Sequence, residues 1–473
     1  MKNLNLITLG ALSLVGCGQT TKEEPVNILW LWGEDISPWM PLYGDNTVET
    51  PYIDFLAENG VTYTNCYSTS SVSSPTRSAI ITGMMQTSIG AHNHRSGRSE
   101  KSETRLPADM KVLPQLMSDG GYYAYSDGKD DFNWLYDWDT YWNGTYTEKP
   151  GFGTVGKGCW GDRPEGAPFF GVIELYGGKG NSKVANPVDE STIKVPSYYP
   201  NSKSMRSMLA KHYNQIISTD NDIKRILEEL QRDGLYENTI IIFLSDNGYL
   251  TPRDKQFLYD GGIHMPFVVS APGNHSLLER LGVKIGERRD QMVSLLDVTA
   301  TTLAMANIEI PSYMESKNIF DKNYNREFIV AARDRCDFTI DRIRAIRTKE
   351  FKYIRNFMTD RPLLQPQYRD NKPWWREFIS EAKSGKYDFA DEWMSDSRPA
   401  EELYDLINDP DEVVNLAGEP SYAAELNAMR GRLADWIKES GDKGEYPEAQ
   451  ADLELIYEAW GERCVNPEYN VFK

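Results

Sequence analysis

The chain reads as an α/β protein, a mostly parallel sheet flanked by helices, followed by a smaller C-terminal subdomain with a short antiparallel sheet. Two features lead there. Asn27 to Trp32 (NILWLW) and Thr239 to Leu244 (TIIIFL) are continuous apolar runs, the pattern of strands covered on both faces rather than on one. Between them Leu209, Tyr213, Ile216, Ile223, Ile226, Leu227 and Leu230 recur mostly at three- and four-residue steps, which predicts a helix with one apolar face that stops at Gly234. Strands that alternate with such helices form parallel sheets.

In chain order, Lys2, the apolar stretch Leu4 to Val15 and Leu14-Val15-Gly16-Cys17 resemble a bacterial lipoprotein signal. The stretch is too short to span a bilayer. Residues 1–16 are expected to be removed, Cys17 to be lipidated and 17–25 to act as a tether, which places the protein in the bacterial cell envelope with no membrane contact beyond the anchor. Residues 26–335 then form the catalytic domain and 336–473 the C-terminal subdomain. A net charge of −19 over 473 residues argues against nucleic acid or an anionic membrane surface as partner. Cys66, Cys159, Cys336 and Cys464 are far apart and form no CxxC pair, so neither zinc nor a redox dithiol is indicated.

Each predicted central strand ends in oxygen-bearing side chains, Glu34-Asp35 after the first and Asp246-Asn247 after the other. In open α/β sheets, sites lie beyond the carboxyl ends of the strands, so these four residues can converge. Without imidazole or thiolate among them, they suit Ca²⁺, with Mg²⁺ second, far better than zinc. Asp246-Asn247-Gly248 alone would be a turn. The strand before it and the run Lys255, then Leu258-Tyr259-Asp260-Gly261-Gly262-Ile263-His264-Met265-Pro266, argue for more.

A third segment is Ser73-Ser74-Pro75-Thr76-Arg77-Ser78-Ala79-Ile80-Ile81-Thr82-Gly83. By itself it reads as a turn entering a helix, with Ser73 as N-cap and Pro75 in the first turn. Taken in order with the other two, it closely resembles the type I sulfatases of the alkaline phosphatase superfamily, as does Glu402-Leu403-Tyr404-Asp405-Leu406 with Asn408-Asp409-Pro410 further on. The resemblance covers about residues 26 to 440 and is closest to bacterial carbohydrate sulfatases with a Ser-type nucleophile. It implies an alkaline-phosphatase-like fold and conversion of Ser73 to formylglycine, whose hydrated aldehyde has one hydroxyl to attack sulfur and another to expel sulfate. It also implies a metal held by Glu34, Asp35, Ser73, Asp246 and Asn247, Arg77 fixing the modified side chain, and Lys129 and Lys255 on the sulfate oxygens. A Ser precursor implies the anaerobic-type sulfatase-maturating enzyme as partner.

Two departures stand out. Asp131 occupies a place where many sulfatases have histidine, and the stretch Glu174 to Gly180 offers only Lys179 where relatives commonly place a catalytic histidine. Lysine is a less natural proton donor near neutral pH. Among five histidines, His92, His94 and His264 qualify by position as general acid, with His264 placed in the catalytic set and the other two beside substrate. Arg333 and Arg335 are candidates for a second sulfate or a uronate, or for pairing with neighbouring Asp residues.

The reading is a sulfuric ester hydrolase acting on a sulfated glycan, either an algal polysaccharide such as ulvan, carrageenan or fucoidan, or a glycosaminoglycan or mucin glycan. The alternatives are a phosphomonoesterase or phosphodiesterase using Ser73 directly, and a noncatalytic lipoprotein that binds sulfated glycans.

Overall fold

The computed structural model describes residues 25–102, 104–127, 129–144, 160–175, 184–384, 393 and 395–473. The signal, Cys17, Cys159 and Lys179 lie outside them. The strands of the main sheet are β1 (Asn27–Gly33), β2 (Gly60–Tyr67), β3 (Tyr123–Asp127), β4 (Phe169–Leu175), β5 (Thr239–Ser245), β6 (Phe267–Ser270) and β7 (Glu287–Ser294), in the order β3-β4-β1-β5-β6-β2-β7. Only β6 runs against its neighbours.

Alternation within the apolar runs explains why they are continuous. Ile28, Trp30 and Trp32 pack on one side of the sheet while Leu29 and Leu31 pack on the other. Helices α1 (Pro51–Glu58) and α3 (Lys203–Arg232) cover the Leu29 side with Ile53, Leu56, Ile216, Ile223 and Leu230. Helices α2 (Ser73–Thr82) and α4 (Val298–Met305) cover the other side with Ile80, Ile81, Val298 and Leu303. The predicted stripe from Leu209 to Leu230 is the buried face of α3. Each large aliphatic or aromatic side chain so enclosed contributes about 1.5–3 kcal/mol, enough in aggregate to hold a site whose charges oppose folding.

A second, antiparallel sheet follows, with β8 (Ile329–Arg333), β9 (Ile343–Arg347), β10 (Phe351–Asn356) and β11 (Glu401–Asp405) in the order β11-β10-β9-β8. It takes in β8, which lies before the boundary at 335. Helix α5 (Ala423–Ser440) packs Leu426, Met429 and Leu433 onto Ile346, Tyr353 and Leu403. Several contacts fasten this subdomain to the loops beyond the main sheet. Ala332 N donates to Thr69 O at 2.9 Å, and buried Lys352 reaches Asp260 and, at 2.7 Å, Glu412 Oε1. Arg347 joins Asp260 at 3.0 Å. Burial alone would push the Asp260 carboxyl up, but Arg347 and then Lys352 hold it below the usual carboxylate range.

Candidate active site

The five strands β1 to β5 deliver their carboxyl ends to one edge, and the polar residues gather just beyond it. After β1 the chain turns through Asp35 in the left-handed region, φ 56°. Three successive amides are fixed there: Asp35 N donates to Asp246 Oδ1 at 3.1 Å, Ile36 N to Ser245 Oγ at 3.0 Å, and Ser37 N to His212 Nε2 at 3.3 Å. The loop entering α2 is tied to the same place, because Ser68 Oγ donates to Asp246 O at 2.7 Å. Gly248 has no room for a side chain, since a Cβ there would sit 1.8 Å from Gly261 O.

Glu34, Asp35 and Asp246 are buried and bring one oxygen each within 4.8 Å of one another. At that separation each ionised pair repels by about 3 kcal/mol even at an effective dielectric near 20, so positive charge must join them. Asn247 completes the group: its Nδ2 donates to Asp35 Oδ1 at 2.8 Å and its Oδ1 accepts from Ser73 Oγ at 3.0 Å. Donors of this kind, all oxygen and mostly carboxylate, fit a hard divalent cation.

The cations of the site lie against these groups. Lys255 Nζ contacts Asp35 Oδ1, and Lys129 Nζ contacts Glu34 Oε1 and, at 2.8 Å, Asp131 Oδ2. Arg77 Nε meets Asp246 Oδ2 at 3.0 Å, its Nη2 meets Glu174 Oε1 at 2.8 Å, and its guanidinium lies 4.5 Å from the Trp32 ring centre. Burial works against the Asp246 charge, but Arg77 and then Lys129 hold its pKa below the usual value. For Glu174 burial wins and pushes the carboxyl up to about 8 despite Arg77.

Of the residues singled out in the sequence, Glu34, Asp35, Ser73, Arg77, Lys129, Asp246, Asn247 and Lys255 are thus brought together. The others take different partners. His264 stacks on Tyr67, meets Tyr43 edge-on and has its Nε2 2.8 Å from Thr64 O, so the proton on that nitrogen is engaged by a backbone carbonyl. Arg333 is buried on Asp341 at 2.6 Å and Arg335 on Glu448 at 2.6 Å. This geometry favours the second option left open for them, pairing with acids, over facing substrate. His92 borders a cavity of about 340 Å³ shared with Arg335, Tyr446 and Glu448. His94 Nδ1 lies 3.1 Å from Asp337 Oδ1. Two residues at the site were passed over in the sequence, Glu174 and His212. An acid at the end of the apolar run from Phe169 was the available signal for the first. Nothing local marks the second, a buried ring stacked 3.9 Å from Tyr249.

Comparison with known proteins agrees with this arrangement. The model of the Sulfatase family matches residues 26–159 and 160–308. An ulvan-active sulfatase of Formosa agariphila is 33% identical over 94% of this chain and 79% of its own length, and the human N-sulphoglucosamine sulphohydrolase is 25% identical over 89% and 91%. A solved 2-O GAG sulfatase superposes with a TM-score of 0.61 at 20% identity, covering 92% of this chain and 96% of its own. The chain belongs to the sulfatase family and is a sulfuric ester hydrolase. The family implies a metal and a formylglycine, and the oxygen donors around Ser73 are of the kind that would hold such an ion.

Proposed function

We propose that this enzyme removes sulfate from a polysaccharide or its oligosaccharides, with formylglycine made from Ser73 as nucleophile and Ca²⁺ as metal. The observation that carries this reading is the 3.0 Å contact of Ser73 Oγ with Asn247, which sets the side chain to be modified on the oxygen cluster. Glu34, Asp35, Asp246 and Asn247 would hold the ion, and Ca²⁺ tolerates so crowded and irregular a shell better than Mg²⁺ does. The hydrated aldehyde supplies a hydroxyl to attack sulfur and a second one from which sulfate is expelled. Lys129 and Lys255 stabilise the negative charge that builds on the sulfate oxygens, while Arg77, locked by Glu174, holds position 73 and Asp246 in register.

The net charge of −19 would repel a sulfated chain. Arg95 and Arg98, 45% and 36% exposed beside Lys129 and Asp131, supply local positive charge that favours a polyanion. The named activity of the Formosa relative makes ulvan oligosaccharides the first substrates to try, with glycosaminoglycans next. Maturation of Ser73 by an anaerobic-type maturating enzyme, and lipid attachment at Cys17 in the cell envelope, belong to the same reading; the mass of the mature N-terminus tests the latter. Ion chromatography of sulfate released from ulvan, carrageenan, fucoidan and glycosaminoglycan panels, with phosphate esters alongside, tests the reaction. Release of phosphate without sulfate would replace this reading with that of a phosphoesterase.

A further inference from the structure

A sulfate ester of a sugar has a poor leaving group, so an acid must protonate the departing oxygen. Position 131 is an aspartate paired with Lys129, Arg95 and Arg98, and His264 is engaged by the Thr64 carbonyl. His212 is enclosed behind the β1 loop, where its Nε2 accepts from Ser37 N.

His94 is placed differently. Its Nδ1 lies 3.1 Å from Asp337 Oδ1 and 3.4 Å from Asp337 N, which donates to it, its backbone N donates to Arg335 O at 3.0 Å, and Arg335 Nη2 donates back to His94 O at 3.1 Å. The ring is therefore fixed by the first turn of the C-terminal subdomain, where Asp337 sits in the left-handed region with φ 48° between the mutual backbone bonds of Cys336 and Thr339. Its Nε2 has no hydrogen-bond partner among the described residues, and the side chain is 12% exposed. The next residue, Arg95, meets Asp131 at 2.8 Å, and Asp131 meets Lys129 at 2.8 Å, which joins the His94 loop to the sulfate-binding lysine. The His94 loop is thus tied to Lys129 through Arg95 and Asp131, with one ring nitrogen held at Asp337 and the other without a hydrogen-bond partner among the described residues.

We propose that His94 is the general acid for the leaving alcohol and that Asp337 is its positioning residue, a role that rests on the sulfatase reading above. As the bond between sulfur and the sugar oxygen breaks, its electron pair stays on that oxygen, which takes the Nε2 proton of the imidazolium to become the free hydroxyl. The sulfuryl group passes to the nucleophile at position 73, and the neutral imidazole is reprotonated from solvent. Burial holds the His94 pKa below the usual imidazole value, and Asp337, with Asp131, works against it in favour of the imidazolium. The C-terminal subdomain then contributes a working part of the site.

The matured enzyme is assayed with two kinds of ester: 4-nitrophenyl sulfate, whose leaving group needs no proton, and the saccharide among ulvan, heparin and chondroitin sulfate oligosaccharides that the wild type desulfates fastest. In His94→Gln, kcat on the saccharide should fall roughly 10²- to 10⁴-fold while kcat on the aryl ester falls less than about tenfold. In Asp337→Asn the imidazolium loses its partner, so the alkaline limb of the saccharide pH profile should move down by about one unit. Equal loss on both esters, undiminished saccharide turnover in His94→Gln, or an unmoved pH profile in Asp337→Asn overturns the assignment. A wild type that cleaves neither ester instead overturns the sulfatase reading itself, so the two failures are told apart.

Discussion

Ser73 Oγ donates to Asn247 Oδ1 at 3.0 Å across 174 residues of chain. One residue begins the helix after β2 and the other lies two residues past the end of β5, so the contact exists only because the sheet sets these two edges side by side. Asn247 also binds Asp35 at 2.8 Å, so Ser73, the β1 loop and the segment after β5 form one unit.

Metal and activity should therefore be lost together. Asp246→Ala removes an oxygen from the cluster and leaves Glu174 as the one carboxylate that Arg77 hydrogen-bonds among the described residues. Bound Ca²⁺, measured by elemental analysis, and turnover should both fall to background, and chelation of the wild type should be reversed by Ca²⁺. Restoration by Zn²⁺ alone would contradict the oxygen-donor assignment.

Arg77→Lys should fold but work poorly. A lysine cannot span Asp246 and both oxygens of Glu174, which Arg77 reaches with Nε and two Nη groups. We expect kcat to fall by at least about 10² with a smaller change in KM, as for loss of a preorganised charge. A change confined to KM would place Arg77 in substrate binding.

Gly248→Ala should displace the loop carrying Asp246 and Asn247, because the obstacle 1.8 Å from the new Cβ is backbone rather than a flexible side chain. A cost of about 3 kcal/mol and weaker metal binding are expected in thermal melts with and without Ca²⁺. Gly431→Ala is the contrast, since nothing lies within 4 Å of its Cβ in α5. It should raise stability by about 0.5–1 kcal/mol.

Lys352→Met should loosen the C-terminal subdomain. It leaves Glu412 and part of the Asp260 charge buried without their cation, at a cost of about 3–5 kcal/mol. Asp260 is held below its unfolded pKa, so its contribution is present above the ordinary carboxylate range and is lost only as pH falls through the depressed folded value. With Lys352 gone that value rises, and the acid unfolding midpoint should move to higher pH. An unmoved midpoint would show that Arg347 alone holds Asp260.

The central strands, the α3 stripe and the oxygen cluster were legible because each leaves a local trace: uninterrupted apolar residues, a helical period, acids at a strand end. The direction of β6 left none, since a four-residue strand with three apolar residues reads alike either way. Nor did the fate of the arginines. Arg333 and Arg335 could face a sulfate or a uronate or pair with acids, and for Arg335 the acid is Glu448, 113 residues away, a partner that is invisible in a local window. The same holds for the bond between Glu174 and Arg77, and for Asp337, which no motif marks and which only the fold sets against His94.

The central claim is that Ser73 becomes the nucleophile by oxidation, because a plain serine with no adjacent base is nearly inert toward a sulfate ester. In a host that converts only cysteine, the wild type should fold and bind metal with little turnover, and Ser73→Cys should gain activity there. The most direct measurement is the mass of the peptide spanning Ser73 in enzyme from its native source. The account predicts a peptide lighter by two hydrogen atoms, or the corresponding aldehyde hydrate; an unmodified serine in a fully active preparation would contradict it.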